Sequence, residues 1–230
     1  YYCKLDCIVL MKGVEKFNRD LIEVFKQTKT DMLDVHNFIS ISSIGYYYAY
    51  RFGCFDDCYQ LSGKPQNFIQ RCVSGGRTMT ANNEKQYVEE RLQDFDAVSL
   101  YPSAMSIMSG VPKGIPKVIP PDILTEELLD FDQFFAEINI KKIKCKSSSP
   151  YKFGQVFSRN EQGSKIFTNN PIDHYYIDKR AFMDLMEFYD FDYEFIRGYY
   201  FDEGFNNKIN IFIEKLFNLR RKYQDANNPL

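Results

Sequence analysis

The sequence predicts an α+β fold, for three reasons. Apolar residues make up 44% and charged residues 26% of the 230 residues, which is ordinary for a globular chain and argues against disorder. Apolar residues recur at helical spacing near both ends of the chain. Between those ends, short aromatic-rich segments are separated by Gly and Pro, as in strands joined by turns. The longest apolar runs are too short to cross a bilayer, so no membrane span is expected.

The first quarter of the chain is predicted to be mainly helical. An amphipathic helix is expected over about residues 4–28. Its apolar positions lie three or four residues apart, at Leu10, Val14, Phe17, Leu21 and Phe25. A second helix fits within 35–52, and 61–65 is predicted to be a turn because it combines Ser, Gly and Pro. The segment 68–73 is interpreted as a short helix or strand.

A strand followed directly by a helix is predicted next. Apolar residues alternate with acids over 92–98, as in a half-buried strand. Pro102 suits the first turn of the following helix, because its missing N–H has no intrahelical partner there. Gly110 is expected to end this helix. The Pro-rich segment 112–121 is predicted to be a linker or an extended crossing segment.

The second half of the chain is predicted to contain a small sheet and two helices. Strands are expected over 134–143, 154–167 and 193–201. Asp178 is expected to cap a helix. The inner face of that helix would consist of Phe182, Leu185, Met186 and Tyr189. The last helix is predicted over about 206–224, with basic residues at its end.

The net charge of −2 disfavours nucleic acid as a partner by itself, but local charge is uneven. Seven Lys or Arg and a single acid lie within 138–166, which also carries Tyr151, Phe153 and Phe157. A basic segment with aromatic residues can follow a phosphate backbone. The alternative is the solvated surface of a hairpin, and composition does not separate the two.

The six cysteines allow two interpretations. They are Cys3, Cys7, Cys54, Cys58, Cys72 and Cys145. Two pairs are separated by three residues, which suggests a zinc site, although structural zinc sites usually have shorter spacings and a matching second pair. The alternative is a set of buried intracellular thiols.

The segment 94–103 carries the clearest chemical signal. It places carboxylates at the end of the predicted strand, followed at once by a tight turn into a helix. Such a carboxylate can hold Mg²⁺, which favours one or two carboxylates together with substrate phosphates. The N–H groups of the turn can bind a polyphosphate, and the ring of Tyr101 can pack against a sugar. The alternative is an ordinary strand–turn–helix with a solvated Asp.

The sequence DAVSLYPS at 96–103 resembles motif A of the family B DNA polymerases. The resemblance implies that Asp96 ligates two catalytic ions, Mg²⁺ or Mn²⁺, and that the carbonyl of Ala97 completes their coordination. Asp94 falls outside the motif and would have a supporting role.

The same resemblance assigns residues to the incoming deoxynucleoside triphosphate (dNTP). Ser99 and Leu100 would contact the triphosphate. Tyr101 would be the steric gate that excludes a ribose 2′-hydroxyl. Near the end of the last helix, Arg220 and Lys222 would reach the triphosphate, as in the fingers helix of the family. Basic residues at a helix C-terminus also suit the helix dipole, which is the alternative explanation.

Two weaker matches precede motif A. Tyr2 and Asp6 resemble the third exonuclease motif, in which Asp6 would hold a metal ion and Tyr2 would orient the attacking water.

A glycine loop follows in the expected order. Gly75, Gly76 and Arg77 resemble the loop between the exonuclease and palm domains that binds the template strand, because paired glycines allow close approach to a phosphate. Val73 stands where the family has Tyr, so this sequence lacks the aromatic side chain of the family pattern.

The resemblance spans nearly all of the chain and implies a partial polymerase. The end of a 3′–5′ exonuclease domain would cover 1–28, and a linker with the first palm strands and helices 29–110. A small mixed insertion subdomain would cover 111–205, and the start of the fingers helix 206–230. The loop, the insertion and the Asn-Pro-Leu ending look most like the protein-primed branch of the family, known from viruses, phages and linear plasmids.

We therefore expect a fragment of a DNA-directed DNA polymerase, running from the third exonuclease motif to just before motif B. Its partners would be template-primer DNA, dNTPs and a terminal protein primer, with no membrane. It would act intracellularly in a host cell and would not be secreted. The fragment alone is predicted to be inactive, because motif C and the first exonuclease motifs are absent. The alternatives are a non-catalytic nucleic-acid-binding module, or another metal-dependent nuclease or nucleotidyltransferase with a palm-like strand.

Overall fold

The computed structural model describes residues 2–27, 34–75, 87–149, 156–159 and 165–226. The chain divides into two compact units. The first unit consists of Tyr1–Cys58, Phe95–Val111 and Phe205–Leu230, and the second consists of Tyr59–Asp94 and Pro112–Gly204. Within the described residues, no helix is both long enough and apolar enough to cross a membrane.

Helices and strands alternate along the chain. The helices are α1 (Tyr2–Gln27), α2 (Ile41–Arg51), α3 (Gly63–Cys72), α4 (Leu100–Ile107), α5 (Thr125–Asp130), α6 (Lys179–Phe188) and α7 (Lys208–Asp225), and Val35–Asn37 forms one 3₁₀ turn. The strands are β1 (Val111–Pro112), β2 (Lys117–Val118), β3 (Gln133–Cys145), β4 (Val156–Arg159), β5 (Lys165–Thr168), β6 (Ile172–Asp178), β7 (Tyr189–Phe201) and β8 (Phe205–Asn206). The α+β prediction is confirmed.

The core of the first unit is formed by α1, α2 and α7. The predicted helix 4–28 is confirmed as α1, but its apolar stripe is only partly buried. Phe25 is 5% exposed, whereas Leu10, two turns from the start, is 69% exposed. Only the C-terminal part of α1 therefore packs against this core. The start of α2 is fixed by a capping box, in which the side chains of Ser40 and Ser43 each accept a hydrogen bond from the other's backbone N–H.

A buried Asn fixes the start of α7 in the first unit. The side chain of Asn206 donates to the carbonyls of Gly53, at 2.8 Å, and Asp56, at 2.9 Å. Asn206 is 6% exposed, so these bonds satisfy a polar group that would be costly to bury alone. Lys208 then pairs with the Asp56 carboxylate at 2.6 Å. The predicted last helix is confirmed and is anchored at its first turn.

The second unit is built on a four-stranded antiparallel sheet in the order β2-β7-β3-β6. The two central strands, β3 and β7, are 13 residues each and pair along their whole length. Alternate residues of β3 are buried, and Phe134, Ala136, Ile138 and Ile140 are fully so. Helix α6 packs on this core, with Phe182 fully buried. Its predicted cap is confirmed, since the carboxylate of Asp178 accepts from the N–H of Ala181 at 2.8 Å.

Several predicted bounds in the second unit are wrong. The described residues of the strand expected over 154–167 belong to two strands, β4 and β5, which pair antiparallel. Residues 154–155 and 160–164 lie outside the described residues. Met186 is 36% exposed and not on the inner face of α6, and Tyr189 begins β7. Strand β6 was not predicted, because its residues are mostly half-exposed and polar and give little apolar alternation.

Two predictions near the centre of the sequence also need correction. The segment 61–65 is not only a turn, because α3 begins at Gly63 and includes the 68–73 segment up to Cys72. The strand predicted over 92–98 is wrong: residues 91–97 have no regular secondary structure, and each is exposed. A strand needs a hydrogen-bonded neighbour, and none of the described strands pairs with this segment.

The cysteines of the described residues are free thiols in different surroundings. Cys54 and Cys72 are buried, and burial raises the pKa of Cys54 to about 11 and the pKa of Cys72 to about 12. Cys3 and Cys7 are exposed on α1. Over the described ranges, no group of three or more His, Cys, Asp or Glu side chains is arranged to hold a metal ion. Cys54 and Cys72 are thus buried, as the second interpretation expects, whereas Cys3 and Cys7 are not.

Candidate functional site

The turn before α4 has an unusual backbone. Ser99 has φ +52° and ψ +48°, the left-handed region that residues other than Gly seldom adopt. This conformation costs about 1 kcal/mol or more. The N–H of Ser103 donates to the carbonyl of Ser99 at 2.9 Å, which closes the first helical turn. The Ser99 hydroxyl makes no capping bond to the helix backbone and is left to interact with another element.

The start of α4 presents donor groups to solvent. The N–H groups of Leu100 and Tyr101 lie in the first turn, where an α-helix supplies no acceptors. Pro102, the third residue of the helix, has no N–H at all. The side chains of Leu100 and Tyr101 are 61% and 82% exposed. This end of α4 can therefore accept an anionic group, with a flat aromatic side chain beside it.

A basic residue from the other end of the sequence reaches this turn. Nη1 of Arg220 on α7 donates to the hydroxyl of Ser99 at 3.3 Å, although the two residues are 121 positions apart. Both belong to the first unit. The guanidinium has four further N–H donors, so it can bind an anion while keeping this contact. Lys222 is exposed two residues further along α7, and no contact of its side chain with the turn occurs among the described residues.

An amide side chain keeps α4 and α7 together. Nδ2 of Asn210 donates to the carbonyls of Met108, at 2.5 Å, and Ser106, at 3.2 Å. These carbonyls lie at the C-terminal end of α4, where no intrahelical donors remain. Sequence reasoning missed Asn210, because an Asn in the first turn of a helix is common and carries no signal of a distant partner.

The predicted metal ligands lie just before the turn. Asp96 and the backbone of Ala97 are in the exposed irregular segment, and Asp96 is three residues from Ser99. Asp94 is also exposed. A carboxylate and a carbonyl oxygen are ligands that Mg²⁺ favours. Two-metal catalysis needs further carboxylates, and no group of three or more potential ligands occurs in the described part of the chain. The residues present therefore fit one part of a metal site.

The remaining predicted site residues lie elsewhere. Tyr2 is the first residue of α1, and Asp6 is exposed one helical turn later on the same helix. Gly75 is exposed at the end of the segment that follows α3. Gly76 and Arg77 lie outside the described residues.

Comparison with known protein families identifies a match over the whole chain. The family model described as DNA polymerase type B, organellar and viral, matches residues 1–230. No curated protein matches the chain significantly.

Solved structures of phi29 DNA polymerase share the fold. The complex with primer-template DNA and incoming nucleotide substrates has a TM-score of 0.54 and 20% identity, covering 85% of this chain and 33% of that one. The post-translocation binary complex with primer-template DNA has a TM-score of 0.52 and 20% identity, covering 87% and 33%. The chain thus spans about a third of the length of the structures it matches.

Proposed function

The chain belongs to the organellar and viral family of type B DNA polymerases, and we propose that it is the part of such a polymerase that binds the incoming dNTP. In the parent enzyme, the 3′-hydroxyl of a primer would attack the α-phosphate of the dNTP. The substrates of the solved relative, primer-template DNA and incoming nucleotide, support this reaction.

The contact between Ser99 and Arg220 is the observation that carries the proposal. It joins the motif turn to the basic helix, two segments that the sequence separates but nucleotide binding requires together. A triphosphate at the start of α4 would accept from the N–H groups of Leu100 and Tyr101 and from the Arg220 guanidinium. These donors are oriented before the ligand arrives, which lowers the entropic cost of binding.

Two further side chains complete the proposed nucleotide site. The exposed ring of Tyr101 would lie against the deoxyribose and exclude a 2′-hydroxyl. Lys222 would reach the triphosphate when the nucleotide is bound.

Asp96 and the carbonyl of Ala97 would hold the divalent ions, two Mg²⁺ or Mn²⁺. When bound, such ions neutralise charge on the transferred phosphoryl group and on the leaving group. Because the described residues supply only one part of the ligand set, we propose that the chain alone neither polymerises nor excises nucleotides.

The other assignments follow the family. Tyr2 and Asp6 would serve the exonuclease, with Asp6 as a metal ligand, and the loop at Gly75, Gly76 and Arg77 would bind the template strand. The four segments would be 1–28, exonuclease; 29–110, palm; 111–205, insertion; and 206–230, fingers. A protein-primed mode, with a terminal protein as partner and replication inside a host cell, is proposed from the resemblance of the insertion.

Replacement of Asp96 by Asn in the full-length parent tests the proposal. Nucleotide incorporation on a primed template should fall about a thousandfold, because a metal ligand supplies several kcal/mol of transition-state stabilisation. Affinity for primer-template DNA should be unchanged. Asp122→Asn is a matched control, since Asp122 is an exposed carboxylate of the second unit. Retained synthesis in Asp96→Asn would contradict the assignment and favour a binding module.

A further inference from the structure

A cleft in the second unit lies between α3 and the sheet. Its volume is about 330 Å³, which is within the range of ligand sites, about 300–1,000 Å³. The residues that line it and that matter for its chemistry are Lys64, Asn67, Phe68, Arg71, Arg197 and Tyr199. None of them belongs to the proposed nucleotide, metal, exonuclease or template-binding residues.

One face of α3 forms the first wall. Lys64, Asn67, Phe68 and Arg71 follow the i, i+3, i+4, i+7 spacing that places side chains along one side of a helix. Phe68 is 7% exposed and packs on the sheet, whereas the other three are exposed. The apolar residue therefore holds the helix in place, and the polar residues border the cleft.

The two arginines are held in position by neighbouring side chains. Nη1 of Arg71 donates to the hydroxyl of Tyr176 at 2.8 Å, and its Cζ lies 5.3 Å from the centre of that ring. Nε of Arg197 donates to the carboxylate of Glu137 at 2.5 Å, and its Cζ lies 5.7 Å from the ring centre of Phe68. Side chains fixed in this way lose little further freedom when a ligand binds.

The cleft has an excess of positive charge. Glu137 pairs with Arg197, but neither Lys64 nor Arg71 pairs with a carboxylate among the described residues. Lys64 and Arg71 are seven residues apart, or about 10 Å along the helix axis. Two cations at this separation can contact different phosphates of one strand.

The second wall adds an aromatic surface. Tyr199 is half-buried and meets Phe68 edge to face, with ring centres 5.3 Å apart. Aromatic rings beside a basic groove bind single-stranded nucleic acid by stacking with its bases, without base selectivity. An acidic peptide would use the cations but not the ring.

We propose that this cleft binds single-stranded DNA, with Lys64 and Arg71 on two phosphates and Tyr199 stacked on a base between them. The inference rests on the proposed polymerase function, which brings a DNA strand to the chain. The Glu137 carboxylate accepts from Arg197 at the edge of the cleft.

Anisotropy titrations of the 230-residue chain with a fluorescein-labelled oligothymidylate test the proposal. Lys64→Ala and Arg71→Ala should each weaken binding severalfold. Each should also lower the slope of log affinity against log salt by about 0.7, the value for one lost phosphate contact on a single strand. Tyr199→Ala should weaken binding without changing this slope, because stacking releases no counterions.

The control is Arg180→Ala. Arg180 is an exposed cation of the same unit that pairs with Asp184 at 3.3 Å and lies on α6. Its replacement should change neither the affinity for oligothymidylate nor the salt slope. A loss of affinity equal to that of the Lys64 and Arg71 variants would overturn the proposal in favour of nonspecific attraction. Unchanged slopes in the Lys64 and Arg71 variants, with native circular dichroism, would also overturn it.

Two further outcomes separate the cleft from its alternatives. Tighter binding of a poly-glutamate peptide than of oligothymidylate would overturn the proposal, because it would identify an acidic protein segment as the occupant. Loss of incorporation in Asp96→Asn together with an unchanged slope in Lys64→Ala would defeat the cleft but not the nucleotide site. Retained incorporation in Asp96→Asn together with a lowered slope in Lys64→Ala would defeat the nucleotide site alone.

Discussion

At the residue scale, Ser99 has the most unusual role in the candidate nucleotide site. Its left-handed backbone starts α4, and its hydroxyl accepts from Arg220 instead of capping the helix. Strained residues persist where surrounding contacts fix them, and they are frequent at functional sites. The strain and the distant contact at Ser99 therefore agree with a ligand site.

Arg220→Ala should raise the KM for dNTPs in the full-length parent by about tenfold, with a smaller effect on kcat. A hydrogen bond to a charged group is worth about 1.5–3 kcal/mol, and the variant would lose both the proposed phosphate contact and the contact to Ser99. Steady-state incorporation assays measure this change. Arg221→Ala is the control, because Arg221 lies over the ring of Phe217 at 5.0 Å. An unaltered KM in Arg220→Ala would remove Arg220 from the site.

Tyr101→Val should reduce discrimination against ribonucleotides by at least about tenfold. The Tyr101 ring is 82% exposed, and a smaller side chain leaves space for a 2′-hydroxyl that the ring would exclude. Paired incorporation assays with dNTPs and ribonucleotides measure the ratio. Tyr50→Val, at an exposed position of α2, should leave it unchanged. If the ratio is unchanged in Tyr101→Val, the steric gate lies elsewhere.

At the element scale, α4 is fixed mainly at its C-terminal side. Asn210 binds its last carbonyls, and Gly110 follows with φ +122°. A Cβ atom at Gly110 would lie 2.4 Å from the carbonyl oxygen of Asn206. Only Gly fits at this position, because both the backbone conformation and the space exclude a side chain.

Gly110→Ala should therefore destabilise the first unit by about 1–3 kcal/mol, since strain of this kind costs that much. Urea denaturation followed by circular dichroism measures the change. Gly13→Ala is the matched control: it lies inside α1, and no heavy atom lies within 4 Å of its added Cβ. That variant should be stabilised by about 0.5–1 kcal/mol. Equal stabilities of the two variants would show that α4 is not held at Gly110.

At the scale of the whole molecule, each unit has its own core, and the second contains a buried carboxylate, Glu137, that is paired with two exposed side chains across its sheet. Glu137 is 2% exposed and accepts from Nδ1 of His174 at 2.8 Å and from Arg197. His174 has φ +56°, next to an irregularity in the pairing of β3 and β6. Burial raises the pKa of Glu137, but hydrogen bonds from Arg197, His174 and Tyr176 outweigh it, so the pKa is lowered from 4.5.

The second unit should lose stability on acidification because of Glu137. A carboxyl whose pKa is lower in the folded state stabilises the fold above its unfolded pKa of 4.5, and this contribution disappears as the pH falls through the folded value. Urea denaturation at neutral pH and below pH 4.5 measures the difference. Glu137→Gln should be less stable at neutral pH and show a smaller difference.

Glu194→Gln provides the comparison for this pH prediction. Glu194 also has a lowered pKa, from hydrogen bonds with Lys141 and Asn139, but its side chain is exposed. Exposed ion pairs contribute little to stability, so this variant should retain nearly the full pH dependence. If Glu137→Gln also retains nearly the full pH dependence, Glu137 is not the source of the acid sensitivity.

Local patterns were sufficient for many elements. The apolar spacing of α1 and α7, the Asp178 cap of α6 and a helix with Pro102 in its first turn were predicted correctly, because each depends on residues within a few positions of one another. Gly110 was expected to end that helix, but α4 ends at Ile107. The 92–98 segment was predicted wrongly, because alternation favours a strand only where a neighbouring strand is available. The family resemblance rested on residues 96–103 and is confirmed by the match over the whole chain.

The sequence by itself determined the α+β class, most helices and the polymerase family, because periodicity, caps and a contiguous motif are short-range properties. Only the tertiary structure decided that Arg220 meets Ser99, 121 residues away, and that α3 and β7 enclose a basic cleft. Such contacts depend on the burial of apolar faces far apart in the chain, here those of Phe68 and of the sheet. The free energy of that burial is a property of the packed fold and is not encoded in any single segment.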